Sequence, residues 1–178
     1  MQRAILFFLL IACLVTSSPC LAGEPSREYQ IKGGFLYKFI FFTEWPQTLP
    51  GDTITIGILG ENPFGDLFKS VEDKPVQGKK LVIRHFPENT SVELFRECQI
   101  LFISSSQEEQ LPDIIESLKQ YPVVTVGESE RFVELGGMIR FVTKQDQVRF
   151  EINEGAATRV GVTFRSKLLR VAVQVIED

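Results

Sequence analysis

Proton transfer, metal binding and nucleophilic attack each need particular side chains, and this chain is poor in most of them. His85 is the single histidine, which excludes a two-histidine metal site and a relay through several imidazoles. It falls inside a strand-like run, where a structural or surface role is the plain reading. The phosphate cradle G-x-x-x-x-G-K-[ST], the esterase elbow G-x-S-x-G and the dinucleotide turn G-x-G-x-x-G do not occur. Carboxylate neighbours such as Glu108-Glu109 and Glu128/Glu130 sit at expected helix starts, where negative charge favours the helix dipole without any acid–base role. The inventory points away from an enzyme, and neither a metal nor another cofactor is expected.

One pattern could still bind a ligand. Three expected strands end in small or polar residues that lead straight into a helix: Gly60-Glu61-Asn62, Ser104-Ser105-Ser106 and Gly127-Glu128-Ser129. In open parallel sheets, ligands occupy the crevice at the carboxyl ends of the strands, where helix N-terminal N–H groups attract anions. Gly60, Asn62, Ser104, Ser105, Ser106 and Gly127 are therefore candidate ligand contacts. The competing reading is that the Ser and Asn residues are helix caps.

The elements that would hold these residues follow from periodicity. Between Tyr29 and Trp45, the residues Ile31, Phe35, Leu36, Phe39, Ile40 and Phe42 recur at helical steps, and Pro46 closes the helix. Gly33-Gly34 inside it argues for tight packing against another backbone, because each glycine costs about 1 kcal/mol relative to Ala. Strands are expected at Thr53–Leu59, Lys80–Phe86, Gln99–Ile103 and Val123–Val126. Helices are expected after Asn62-Pro63, from about Glu108 to Gln120, and near Glu130–Leu135. Met138–Val142 and Val148–Ile152 read as an antiparallel hairpin. Asn153 then caps a short helix, and a last helix from Ser166 places Leu168, Leu169, Ala172, Val173 and Ile176 on one face.

This order predicts one three-layer α/β domain over 23–178, with a mostly parallel mixed sheet, helices on both faces and a C-terminal antiparallel hairpin. Residues 1–22 read as a signal peptide: Arg3, the apolar run Ala4–Val15, and small residues at the first and third positions of Cys20-Leu21-Ala22. A dozen apolar residues fall short of the roughly 20 that span a bilayer. The chain carries 19 Lys and Arg against 23 Asp and Glu, a formal −4, and loss of Arg3 with the leader takes it to −5. That balance argues against nucleic acid, whose phosphates need clustered cations, and against docking on anionic lipid. Cys13 and Cys20 leave with the leader, so Cys98 has no internal disulfide partner and reads as a buried small hydrophobe.

Four motifs in order and spacing then resemble the YfiR-like periplasmic proteins. Ile31-Lys32-Gly33-Gly34-Phe35-Leu36-Tyr37-Lys38-Phe39 with Glu44-Trp45-Pro46 is similar to the family's opening helix, and Ile58-Leu59-Gly60 with Asn62-Pro63-Phe64-Gly65 to its first strand and turn. Cys98 to Ser106 is similar to its central strand. Gly136-Gly137-Met138-Ile139, Val148 to Asn153, and Ser166-Lys167-Leu168-Leu169-Arg170 complete the match.

The resemblance implies a periplasmic repressor that binds an inner-membrane diguanylate cyclase and holds it inactive, lowering cyclic di-GMP and biofilm formation. It also implies an outer-membrane lipoprotein that can sequester the repressor, and a homodimer. The disulfides of some members do not carry over to a chain with Cys98 alone. Partner contacts are expected on the hairpin and the segment after it, at Phe141, Phe150, Glu151, Asn153 and Arg159, although Phe150 and Glu151 must point to opposite faces. Two further classes stand beside this reading: a periplasmic small-ligand sensor, and an accessory domain for another envelope receptor or kinase.

Overall fold

The computed structural model describes residues 24–46 and 51–177; the expected signal peptide, with Cys13 and Cys20, lies outside the described residues. Helix α1 (Arg27–Phe42) opens the fold, capped by Ser26 Oγ, which accepts from the Tyr29 amide. It is followed by β1 (Thr43–Glu44), β2 (Thr53–Leu59), a 3-10 turn (Leu67–Ser70), β3 (Pro75–Val76) and β4 (Lys79–Phe86). Then come α2 (Val92–Phe95), β5 (Ile100–Ile103), a 3-10 turn (Ser105–Gln107), α3 (Leu111–Leu118) and β6 (Val124–Gly127). The chain closes with β7 (Ile139–Lys144), β8 (Gln147–Asn153), α4 (Glu154–Arg159), β9 (Thr163–Phe164), α5 (Ser166–Leu169) and β10 (Gln174–Ile176).

Eight strands form one mixed sheet in the order β10-β8-β7-β6-β5-β2-β4-β3, while β1 and β9 pair antiparallel as a separate ribbon. The pairs β4-β2, β2-β5, β5-β6, β6-β7 and β8-β10 are parallel; β3-β4 and β7-β8 are antiparallel. Alternation along the strands builds two cores. Ile54, Ile56, Ile58, Ile100, Phe102, Val124, Val126, Ile139 and Phe141 face α1 and the C-terminal helices. Leu59, Leu101 and Ile103 face α2 and α3, where Phe95, Leu111, Ile115 and Leu118 cover them. The three-layer α/β fold with its C-terminal hairpin is therefore as expected. No helix among the described residues is long and apolar enough to cross a membrane.

The hairpin turn places Gln145 and Asp146 at φ 51° and 58°, the left-handed pair a two-residue connection between right-twisted strands requires. Gly33 is closely packed in α1, but against side chains and not the expected backbone: a Cβ there would run into Leu67 Cδ2 and crowd Phe64 and Phe68. Gly34 faces open space and owes nothing to packing.

Four local expectations differ from the structure. Helix α1 buries Lys32 and Gly33 and leaves Ile31 exposed, so its inward stripe runs Lys32, Gly33, Leu36, Phe39 and Ile40. After Asn62-Pro63 the chain makes turns and the 3-10 segment instead of a helix. Residues 130–136 are hydrogen-bonded turns, because Phe132 drives its ring between Gly127 and Gly137; a Cβ on either glycine would lie 2.2 or 2.3 Å from that ring. The final helix stops at Leu169. Val173 donates its amide to the Phe150 carbonyl at 2.9 Å, and the β-branched run that follows adds β10 to the free edge of β8.

Candidate functional site

The strand ends come together around Gly60, whose φ of +88° suits glycine. Its amide donates to the Phe86 carbonyl at 2.9 Å, and its own carbonyl lies 2.6 Å from His85 Nε2. Ser106 Oγ accepts the Glu61 amide at 3.0 Å, and Ser104 Oγ accepts the Ser106 amide at 3.4 Å. Asn62 Oδ1 accepts the Phe64 amide at 2.9 Å and caps a turn. A Cβ at Gly60 would meet Ser106 Oγ at 2.4 Å, so the crevice here is filled by the chain itself. Ser105 and Ser106 reach a 370 Å³ cavity whose rim carries Glu88, Glu108 and Glu109, a poor setting for an anion. Gly127 stands apart from this group, its face taken by the Phe132 ring. The structure thus brings Gly60, Ser104 and Ser106 together as partners of one another.

The hairpin residues divide by the strand pleat. Phe141 and Phe150 are paired across β7 and β8 and point at α1, with ring centroids 6.0 and 5.2 Å from Phe39. Glu151 points to the opposite face, where its Oε2 is 2.9 Å from Arg140 Nη2. Asn153 is buried as well: Oδ1 accepts the Ala156 amide at 2.8 Å, which starts α4, and Nδ2 donates to the Val133 carbonyl at 3.1 Å. Of the five expected contact residues, Arg159 alone is exposed. Phe141, Phe150, Glu151 and Asn153 are interior groups in the folded chain, because a strand flanked on both sides hides both of its faces.

A roomier concavity lies elsewhere. A cleft of about 820 Å³ opens between the end of α1, the β1-β9 ribbon and the start of β2. Phe41, Phe42, Trp45, Pro46 and Ile54 give it an apolar lining; Glu44, Lys79 and Arg165 bring charge to it. Trp45 is held by Nε1, which donates to the Gln99 carbonyl at 3.2 Å, and Gln99 is fixed in turn because its Oε1 accepts the Thr55 amide at 2.6 Å. Arg165 Nε stands 2.9 Å from Glu44 Oε1 across the ribbon. Gln77 Nε2 donates to the Ile40 carbonyl at 2.9 Å and fastens the end of α1 to the β3-β4 turn. The chemistry-bearing residue types do not mark this cleft; its one signal in the sequence is the aromatic cluster ending in Trp45-Pro46, which also fits an ordinary helix end.

Cys98 lies behind the sheet and is buried, with burial pushing its thiol up to about 12. A Cβ on Gly57 would approach Cys98 Sγ to 2.9 Å, so the glycine and the thiol share one tight space.

In its fold the chain is similar to the crystal structure of a conserved domain protein from Vibrio cholerae O1 biovar El Tor str. N16961, at 13% identity and a TM-score of 0.57. That alignment covers 83% of this chain and 60% of the other. A second similar structure is the ABC domain in complex with L-Trp from Streptococcus pneumonia, at 16% identity and a TM-score of 0.46, covering 69% of this chain and 55% of that one. The chain therefore spans less than two thirds of the length of either. No curated protein matches it. A family model described as YfiR/HmsC-like matches residues 29–173, from the first turn of α1 to the residue before β10. The chain belongs to the YfiR/HmsC-like family, whose members are periplasmic regulators of cyclic di-GMP signalling rather than catalysts.

Proposed function

We propose that the mature chain is a periplasmic repressor that binds the periplasmic domain of an inner-membrane diguanylate cyclase and holds it inactive. Family membership supports the regulatory class. The Trp45 cleft is the observation that supports a place for the contact. Interface energy concentrates in a few buried aromatic and arginine side chains seated in pockets. The cleft offers Phe41, Phe42, Trp45 and Arg165 at one concave site, whereas four of the five hairpin residues are interior. Repression requires only that the chain bind the inactive cyclase more tightly than the active one. On this reading Phe141, Phe150, Glu151 and Asn153 shape the hairpin, and Arg159 is the member of that set a partner can touch. A homodimer, and sequestration by an outer-membrane lipoprotein, belong to the same proposal.

Calorimetric titration of the mature chain with the cyclase's periplasmic domain tests the placement. Trp45→Ala is expected to weaken binding at least tenfold, as a hot-spot residue does. Full affinity in Trp45→Ala and Arg165→Glu, with loss in Arg159→Glu, would move the contact to the C-terminal side.

The size of the cleft favours one second reading. At about 820 Å³ and with a largely apolar lining, it falls within the range of small-molecule pockets, roughly 300–1,000 Å³. A periplasmic effector seated there would compete with the partner, making the chain a sensor as well as a repressor. Stabilisation by a small aromatic compound that Trp45→Ala abolishes would support it, and its absence across an aromatic-compound screen would count against it.

A further inference from the structure

The inward stripe of α1 carries a lysine where an apolar residue would be expected. Lys32 is 3% exposed, and its Nζ lies 2.6 Å from Glu28 Oε1 and 3.1 Å from Glu128 Oε1. Glu128 directly follows β6, so the ammonium occupies the strand-end crevice there. The rest of the cluster is as specific. Tyr29 Oη donates to Glu128 Oε2 at 3.2 Å, and Thr143 Oγ1 of β7 donates to Glu28 Oε1 at 3.2 Å. The ammonium stands 4.7 Å from the Tyr29 ring centroid and 6.0 Å from that of Phe141. Glu128 Oε1 is buried and accepts no hydrogen bond, which leaves Lys32 as its partner. One cation therefore ties the first two turns of α1 to the end of β6, and the hairpin joins through Glu28.

A buried ammonium is tolerable only while its counter-charges persist, because an uncompensated charge in the interior carries a large desolvation penalty. Among the described residues the charged groups facing Lys32 are Glu28 on its own helix and Glu128 from the β6 end. Hairpin strand β7 contributes Phe141 and Thr143, and Phe64, edge-on to Tyr29 at 5.7 Å, closes the other side; none of these supplies charge. We propose that this cluster is an acid-released clasp: protonation of Glu28 leaves the Lys32 ammonium short of counter-charge and frees the start of α1 from β6 and the hairpin.

The release is local. Leu36, Phe39 and Ile40 anchor the rest of α1 in the core and do not depend on the clasp. The space that widens is the 650 Å³ groove between Arg27–Phe35 and Thr143–Arg149. Lys32 and its hydrogen bond hold the Glu28 carboxyl below its ordinary value. A depressed carboxylate contributes stability above its unfolded value and loses it as pH falls through the folded one, so release belongs below about pH 4.5. Tyr29, pushed up to about 12 by burial and then by Glu128, keeps its proton throughout and remains a donor.

Hydrogen exchange of the full mature chain, corrected for intrinsic rates, tests the clasp without reference to any partner, so its failure is separate from failure of the docking reading. Between neutral pH and about pH 3.5, protection over residues 27–35 is expected to fall at least tenfold more than protection in β5. In Lys32→Met, which needs no counter-charge, that difference should vanish. Equal losses in α1 and β5 of the unaltered chain, or an undiminished difference in Lys32→Met, would overturn the proposal. If Lys32→Met does not fold, Glu128→Gln at neutral pH serves: lowered protection over 27–35 supports the clasp, and unchanged protection refutes it.

Discussion

Arg140 and Glu151 stand directly opposite each other on β7 and β8, and their side chains meet at 2.9 Å on the face of the hairpin away from α1. Arg140 Nη1 also donates to the Glu130 carbonyl at 2.5 Å, which pulls the 130–136 turns over the pair. Arg140 Nε is buried without a hydrogen bond, so Glu151 carries most of the compensation for the guanidinium.

Removing one partner should therefore cost more than removing both. Glu151→Leu is expected to lower stability in urea by about 2–3 kcal/mol; the figure sits below that for a fully buried pair because Arg140 retains some access to water. Arg140→Met combined with Glu151→Leu should recover most of the loss. A single variant within about 0.5 kcal/mol of the unaltered chain would show that the pair is not structural.

The two adjacent glycines of α1 should respond in opposite directions. At Gly34 a methyl group meets nothing within 4 Å, so Gly34→Ala should stabilise by about 0.5–1 kcal/mol through helix propensity. At Gly33 it would collide with Leu67 and press on Phe64 and Phe68, and Gly33→Ala should destabilise by about 1–3 kcal/mol. Thermal unfolding of both variants distinguishes this from a common effect of helix propensity.

Cys98 should be chemically silent in the native chain. With its thiol pushed up to about 12 by burial, almost no thiolate exists at pH 8, where an ordinary thiol of pKa about 8.5 reacts readily. Reaction with a disulfide reagent should wait for unfolding and accelerate sharply in denaturant. Because only the unfolded chain then loses the proton, stability should also decline as pH rises past about 8.5. Prompt native-state labelling would contradict the burial.

Much of the sheet was legible because β2, β5 and β6 are short apolar runs bounded by Gly, Ser and Asn, and the hairpin alternates cleanly. Lys32 shows where pattern reading stops. A lysine on the buried stripe of a helix is interpretable only once Glu128, 96 positions away, is known to lie beside it. The same holds for β10: Val173 to Ile176 fits a helical face as well as a strand, and the open edge of β8 decides between them. Of the strand-end residues, Asn62 and Ser104 accept amides of their own turns, and Ser106 and Phe132 stand against Gly60 and Gly127, packing that no single stretch of sequence displays. The Trp45 cleft draws on α1, the ribbon and the start of β2, so no single stretch of sequence displays it.

Repression is measured most directly as diguanylate cyclase activity in inner-membrane vesicles carrying the cyclase encoded in the same genome, with the mature chain supplied on the periplasmic side. A dose-dependent fall in cyclic di-GMP synthesis, blunted in Trp45→Ala, is the expected result. Synthesis that stays constant at saturating concentrations of the correctly folded chain would contradict it.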